Sequence, residues 1–370
     1  MYPKYLFHSL FCACNWKDVQ QPPSVQMKNV KIILCNLLLL FALLLLCEMG
    51  FRLLRPDYQF YEQAVASNFH RKAAQFMDTN WVQQDSLFGW VCQQKKHLKF
   101  YLPEYHNIYY QINPQGFRMP FDLDSLPPPS DSTRRILLLG DSFLFGIFLS
   151  EEHTIANCLQ EKLGPGYQVF NLSAPAWGLD QMYIAHQQYH STLEPDMSML
   201  LYIDEDVTRI VEGFFWGAAT KPSFVLRGEE LQAKPPTEGL LNAVEEMLVF
   251  SSKMANVLYK TSCQQQAKPL AVKLLSEMAE AEQQQGRELK LMRCPRVEQI
   301  GPHHQGAFDL RDQLAKRNLT VYDLVDTIRQ LPHAQQQALY LPKDTHPSAQ
   351  GAAFICGILE RQIREQLEGK

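Results

Sequence analysis

The sequence predicts an α/β fold, a parallel five-stranded sheet flanked by helices and preceded by a membrane-spanning helix. Three observations carry this. No charged residue interrupts the leucine-dominated run from Ile32 to Cys47. From residue 136 onward, short aliphatic segments alternate with amphipathic ones, as in βα units whose strands are buried on both faces. The composition, 46% hydrophobic and 20% charged over 370 residues, is that of a globular chain with one sizeable core and some length left over. A net charge of −4 lacks the basic footprint of a nucleic-acid binder, so no nucleic-acid partner is expected.

Residues 1–31 form a short N-terminal segment expected in the cytoplasm. Met27-Lys28-Asn29-Val30-Lys31 has the form of a targeting start, which makes Met27 a candidate initiator. Residues 32–54 are expected to be an uncleaved signal-anchor, long enough to cross a bilayer if Glu48 and Arg52 snorkel. No Ala-x-Ala cleavage site follows; Arg52 and Arg55 come instead. Lys28 and Lys31 before the span nearly balance these arginines, so charge does not set orientation. The large downstream domain argues for translocation, hence a periplasmic or other extracytoplasmic location.

Residues 55–130 read as a lead-in region and linker. Short strands are expected at 87–91 and 108–112, a turn at Asn113-Pro114-Gln115-Gly116, and a stiff connector at Leu126-Pro127-Pro128-Pro129. Residues 131–370 form the main domain. Its strands are expected at 136–140, 168–172, 197–203, 288–292 and 319–324. Helices are expected from a Ser150 cap to about 163, then at 179–193, 238–260, 268–284 and 348–366. Nine cysteines include no CxxC pair. Cys158 and Cys356 fall in helix-like patterns and read as buried free thiols, not as a disulfide framework.

Two stretches carry candidate chemistry. Ser142 follows the first buried strand, in Gly140-Asp141-Ser142, where open α/β sheets bind ligands. It is either a nucleophile or a helix-capping serine. Asp344 and His346 lie two apart on a loop before the last helix, where a carboxylate can hold an imidazole in the tautomer that accepts a serine proton. A strand-end serine together with a later His–Asp loop is what a Ser-His-Asp hydrolase needs.

On these residues the chain resembles the SGNH/GDSL hydrolase superfamily, in particular its membrane-anchored bacterial members. The resemblance spans about 85–370 and rests on four blocks in order. They are Asn113–Arg118, Gly140-Asp141-Ser142-Phe143, Asn171 through Gln181, and Asp344-Thr345-His346-Pro347. It implies a three-layer, flavodoxin-like α/β/α domain and no cofactor or metal. It further implies Ser142 as nucleophile, His346 as general base and Asp344 as its orienter. The oxyanion hole would use the N–H of Ser142 and that of Ala176, with Gly178 next best. The family's oxyanion asparagine falls on Glu205, which as a carboxylate can only accept hydrogen bonds. The implied function is a membrane-anchored serine esterase acting on acylated glycans or lipids of the cell envelope. An acyltransferase using the same residues, or a non-catalytic glycan-binding or assembly protein, are the alternatives.

Lesser signals remain. His186 and His190 stand at zinc-like spacing on a helix but lack an evident third ligand, so a solvated face is expected. Phe214-Phe215-Trp216 reads as core packing or as a lid. Asn171-Leu172-Ser173 and Asn318-Leu319-Thr320 match glycosylation sequons that are not expected to be used.

Overall fold

Arg134–Gly140 (β1) is a central strand, and Ile136 to Leu139 are fully buried because both sheet faces are covered. The computed structural model describes residues 23–54, 82–93, 108–130, 132–211, 214–215, 219–234, 252–301, 308–342 and 344–369. With Tyr167–Ser173 (β2), Met197–Tyr202 (β3), Leu289–Arg293 (β4) and Val321–Asp323 (β5), β1 forms one sheet in the order β5-β4-β3-β1-β2. Every pairing in it is parallel. Because β2 lies on one side of β1 and β3 on the other, the crossovers diverge at the carboxyl ends of β1 and β3. They open a crevice there.

Each face has its own core. Leu137 and Leu139 pack with Leu179 and Met182 of α3 (Leu179–Leu193) and with Leu270, Leu274 and Met278 of α5 (Lys253–Gln283). Ile136 and Leu138 pack with Ile155 and Leu159 of α2 (Ile155–Leu163) and with Ile355 and Leu359 of α6 (Ala349–Glu368). Between α3 and α5 in the chain stands α4 (Asp204–Arg209), one short helix after β3. The result is a three-layer α/β/α domain of the flavodoxin-like strand order.

The N-terminal helix α1 (Pro23–Leu54) contains a 26-residue stretch, Asn29–Leu54, long and apolar enough to cross a bilayer. Its leucines are exposed, Leu38 by 67% and Leu39 by 68%, as a lipid-facing helix requires. Glu48 pairs with Arg52 and accepts from Ser252 Oγ at 2.8 Å and Met254 N at 3.0 Å, which ties α1 to the start of α5.

Several expectations are corrected. Cys158 and Cys356 form a disulfide between α2 and α6, not free thiols; their partners lie 198 residues apart, beyond any local pattern. The helix ending at Leu163 is capped by Thr154, whose Oγ1 accepts from Asn157 N; Ser150 precedes only a single 3-10 turn and makes no capping bond. The helices expected at 238–260 and 268–284 are, over the described residues, one helix from 253 that runs through Pro269; 238–251 lie outside the described residues. The segment at 108–112 is no strand but contributes an isolated bridge, Ile112 to Arg118. The strand expected at 87–91 is found at Gly89–Cys92, paired with an added strand, Val82–Asp85, and two further hairpins add to the expected elements: Phe214–Phe215 with Ala219–Thr220, and Ser223–Arg227 with Glu230–Lys234.

The lead-in shares the core of the sheet domain. Phe88, Trp90 and Phe117 are buried against Trp177, and two reciprocal bonds join the segments: Trp90 Nε1 donates to the Pro175 carbonyl (2.9 Å) and Trp177 Nε1 to the Trp90 carbonyl (3.1 Å). Gly116 adopts φ +88°, and a Cβ there would lie 2.6 Å from Val91 Cβ, so both conformation and space require glycine in this turn.

Candidate active site

The end of β1 presents the nucleophile candidate. Asp141 caps the helical turn Ser142–Phe145, its Oδ1 accepting from Phe143 N at 2.9 Å. Ser142 is therefore the first helical residue, and its own N–H has no intrahelical acceptor. Arg118, from the turn of the lead-in, holds this segment from below. It donates to the carbonyls of Phe145 (3.1 Å), Gly146 (2.7 Å) and Leu149 (2.8 Å) and pairs with Glu151.

The loop before α6 brings the other half. Leu341 N donates to the His346 carbonyl (3.0 Å), Ser348 N to the Leu339 carbonyl (2.9 Å), and Ser348 Oγ caps α6 at Gly351 N. Gly351 passes so close to that loop that a Cβ would fall 2.0 Å from the Leu339 oxygen. Within this frame His346 Nε2 lies 2.8 Å from Ser142 Oγ, across 204 residues of sequence. Its Nδ1 is hydrogen-bonded to Asp344 Oδ1, which also accepts from His346 N at 2.9 Å. Because Asp344 can only accept, Nδ1 carries the proton and Nε2 presents a lone pair to the serine hydroxyl. The ring is packed by Phe143 and Phe148, with centroids 5.2 and 5.8 Å away. Ser142, His346 and Asp344 thus lie in one hydrogen-bonded line, and Asp141 Oδ2, 3.2 Å from Ser142 Oγ, is a second and more distant acceptor for the serine hydroxyl.

Ala176 adopts φ +62°, a left-handed conformation costly for a residue with Cβ, and among the described residues its N–H meets no acceptor. Gly178 does not offer a free amide: its N–H donates to Gln181 Oε1 at 3.0 Å inside the α3 capping box. Glu205 is not an oxyanion donor either. Its Oε1 accepts from Arg296 Nη1 at 2.5 Å, and although burial pushes its pKa up, Arg296 outweighs that and holds the carboxyl below its usual value, hence ionised. Asp206 turns inward to cap α4 at Ile203 N (2.9 Å) and to pair with Arg209; burial, with Asp141 nearby, raises its pKa well above the usual range.

Two arginines complete the surroundings, and the sequence motifs marked neither for this role. Arg209 donates to Asp141 Oδ2 (3.3 Å) and to the Trp177 carbonyl (3.1 Å), so it joins the neighbour of Ser142 to the neighbour of Ala176. Arg296 joins Glu205 to Thr345. Beneath them Arg293 ties the strand ends together, bidentate to Asp204 (2.6 and 2.9 Å) and bonded to Asp323 (2.9 Å).

His186 and His190 are not on a solvated face. Both are buried, and Glu282 supplies the third group of a possible metal set. Its ligand positions are filled from within, however. Glu282 accepts from His186 (2.9 Å), Ser198 Oγ (2.5 Å) and Arg287 Nε (2.9 Å), while Arg287 Nη2 lies 2.8 Å from His190 Nε2. A cation bound here would have to sit against that guanidinium. The side chains of Phe214, Phe215 and Trp216 lie outside the described residues. Asn171 and Ser173 of the first sequon are buried in β2, closed to a glycan.

No family model and no curated protein matches the sequence. Forty-four solved chains match the structure. Among them, TesA shares 13% identity and a TM-score of 0.41, covering 63% of this chain and 100% of its own. The lipase/acylhydrolase from Enterococcus faecalis shares 12% and 0.38, covering 63% and 97%. The psychrotrophic esterase EstA from Pseudoalteromonas sp. shares 14% and 0.39, covering 64% and 99%. Each of these chains is similar to this one in fold alone.

Proposed function

We propose that the protein is a membrane-anchored serine esterase of the SGNH kind, acting on ester-linked acyl groups of cell-envelope glycans or lipids. The observation that carries this reading is the line from Asp344 through His346 to Ser142, with Nε2 2.8 Å from the serine oxygen.

In the proposed reaction Ser142 Oγ attacks the ester carbonyl while His346 Nε2 takes its proton. Asp344 stabilises the imidazolium that results. The oxyanion accepts from the N–H groups of Ser142 and Ala176; one such donor is worth roughly a hundred- to thousand-fold in rate. Collapse of the intermediate expels the alcohol, which takes the proton from His346, and leaves an acyl-enzyme on Ser142. Water then attacks with His346 as base and releases the acid. A sugar hydroxyl attacking in place of water would make the same residues an acyltransferase.

The extracytoplasmic placement draws support from the Cys158–Cys356 disulfide, since such bonds persist in oxidising compartments. An envelope substrate suits a domain tethered at the membrane by α1.

Hydrolysis of p-nitrophenyl acetate by the full-length protein tests the reading, with Ser142→Ala as control. A loss of about 10³-fold or more in kcat is expected. Equal turnover by the two proteins would refute the assignment. No turnover by either would favour the non-catalytic binding alternative.

A further inference from the structure

Glu205 occupies the place where an oxyanion donor was expected, yet it is bonded elsewhere. Resting on the esterase reading above, we propose that Glu205, Arg296 and Thr345 form a clamp that holds the Asp344–His346 loop in register with Ser142.

Three segments meet at Arg296. Glu205 opens α4 after β3, Arg296 follows β4, and Thr345 stands between the two loop residues of the candidate triad. One edge of the guanidinium, Nε and Nη2, donates to Thr345 Oγ1 at 3.0 and 2.8 Å; Nη1 on the other side donates to Glu205 Oε1 at 2.5 Å. Glu298 lies 3.4 Å from Nε, and Gln299 Oε1 accepts from Arg296 N at 2.7 Å. The neighbouring Pro295 carbonyl accepts from Tyr340 Oη at 2.8 Å, a second tie between this turn and the loop.

The wiring is one-directional. Thr345 Oγ1 accepts twice from Arg296, and the loop backbone on either side of it sets Asp344 against His346 and His346 against Ser142. His346 faces Asp344, Ser142, Phe143 and Phe148; no side chain of the clamp bonds to its ring. The three clamp residues are therefore positioning residues that act through the backbone of Thr345. Arg296 keeps Glu205 ionised against its burial, and an asparagine there, neutral and one methylene shorter, would lose the ion pair.

Two measurements on the full-length protein in detergent test this. The first is turnover of p-nitrophenyl acetate. Thr345→Val is expected to lower kcat by about ten- to a hundred-fold with KM within about twofold, because displacement of the loop misaligns the base. Thr345→Ser should restore most of the rate, and Arg296→Met and Glu205→Asn should fall with Thr345→Val. Unchanged kcat in Thr345→Val, a change confined to KM, or a gain in Glu205→Asn would overturn the clamp. The last result would return Glu205 to the oxyanion site. The second measurement needs no turnover: the far-downfield NMR signal of the His346 Nδ1 proton, held by Asp344. It should shift or broaden in Thr345→Val and return in Thr345→Ser; an unmoved signal would overturn the proposal. Failure of the esterase reading shows instead as turnover independent of Ser142, or as no turnover in the wild type, in which case the His346 signal alone decides the clamp.

Discussion

Among the described residues, two clusters join serine, histidine and carboxylate, and they are wired in opposite order. At the carboxyl ends of the strands, His346 stands in the middle, bonded to Ser142 on one side and Asp344 on the other. Between α3, β3 and the end of α5, Glu282 stands in the middle and gathers Ser198, His186 and Arg287 onto itself. In the first cluster the serine hydroxyl has two acceptors, the Asp141 carboxylate at 3.2 Å and, nearer at 2.8 Å, an imidazole lone pair that can take its proton. In the second it faces a carboxylate that two further donors, His186 and Arg287, also hold, and Ser198 is wholly buried. Residue types alone therefore do not mark a nucleophile. The position of the imidazole within the chain of hydrogen bonds, and a place at the strand ends, separate chemistry from bracing.

The largest separation should appear between activity and stability. Glu282→Ala strips the charge that compensates Arg287 in a buried site and is expected to cost about 3–5 kcal/mol in chemical denaturation. His346→Ala should abolish esterase turnover while leaving the denaturation midpoint nearly unmoved. If His346→Ala destabilises as much as Glu282→Ala, the distinction between site and brace fails.

The brace should also dominate the acid response. Burial alone would raise the Glu282 pKa, but hydrogen bonds from His186, Ser198 and Arg287 hold it down to about 2, against an ordinary 4.5. A carboxyl depressed on folding stabilises above its unfolded pKa, and that contribution is lost as pH falls from 4.5 toward 2. At about 1.4 kcal/mol per unit, roughly 3 kcal/mol is at stake. Burial likewise depresses the pKa of His190, which acts with the same sign as pH drops below the usual imidazole range. Stability measured against pH should decline across this window in the wild type, and Glu282→Gln should flatten the decline. An equal slope in both would remove Glu282 as the cause.

The smallest effect concerns Ala176. Ala176→Gly relieves a left-handed conformation worth about 1 kcal/mol and gives up one buried methyl. Stability within about 1 kcal/mol of wild type is expected, with esterase activity retained because the amide remains. A loss of activity would mean that the Ala176 methyl, not its N–H, matters to the site.

Local signals made much of this fold legible. Ile136-Leu137-Leu138-Leu139 reads as a doubly covered strand without knowledge of its neighbours, and the alternation after it implies parallel βα units. Ser142 and the Asp344–His346 loop stand out because each sits at the end of a regular element, where side chains face a crevice. The remainder depends on pairings between distant residues that no periodicity records. Cys158 meets Cys356, Glu282 meets His186 across 96 residues, and Arg296 meets Thr345 across 49. His186 and His190 looked solvated because the α3 sequence does not reveal that the end of α5 covers them. Glu205 looked misplaced for the same reason: its partner follows a different strand.

Peptide mapping after fluorophosphonate treatment of the full-length protein separates Ser142 from Ser198 as the nucleophile. A single phosphonyl adduct is expected on the peptide that carries Ser142, absent in His346→Ala and retained in Ser198→Ala. An adduct on Ser198, or labelling of Ser142 that persists without His346, would contradict that assignment.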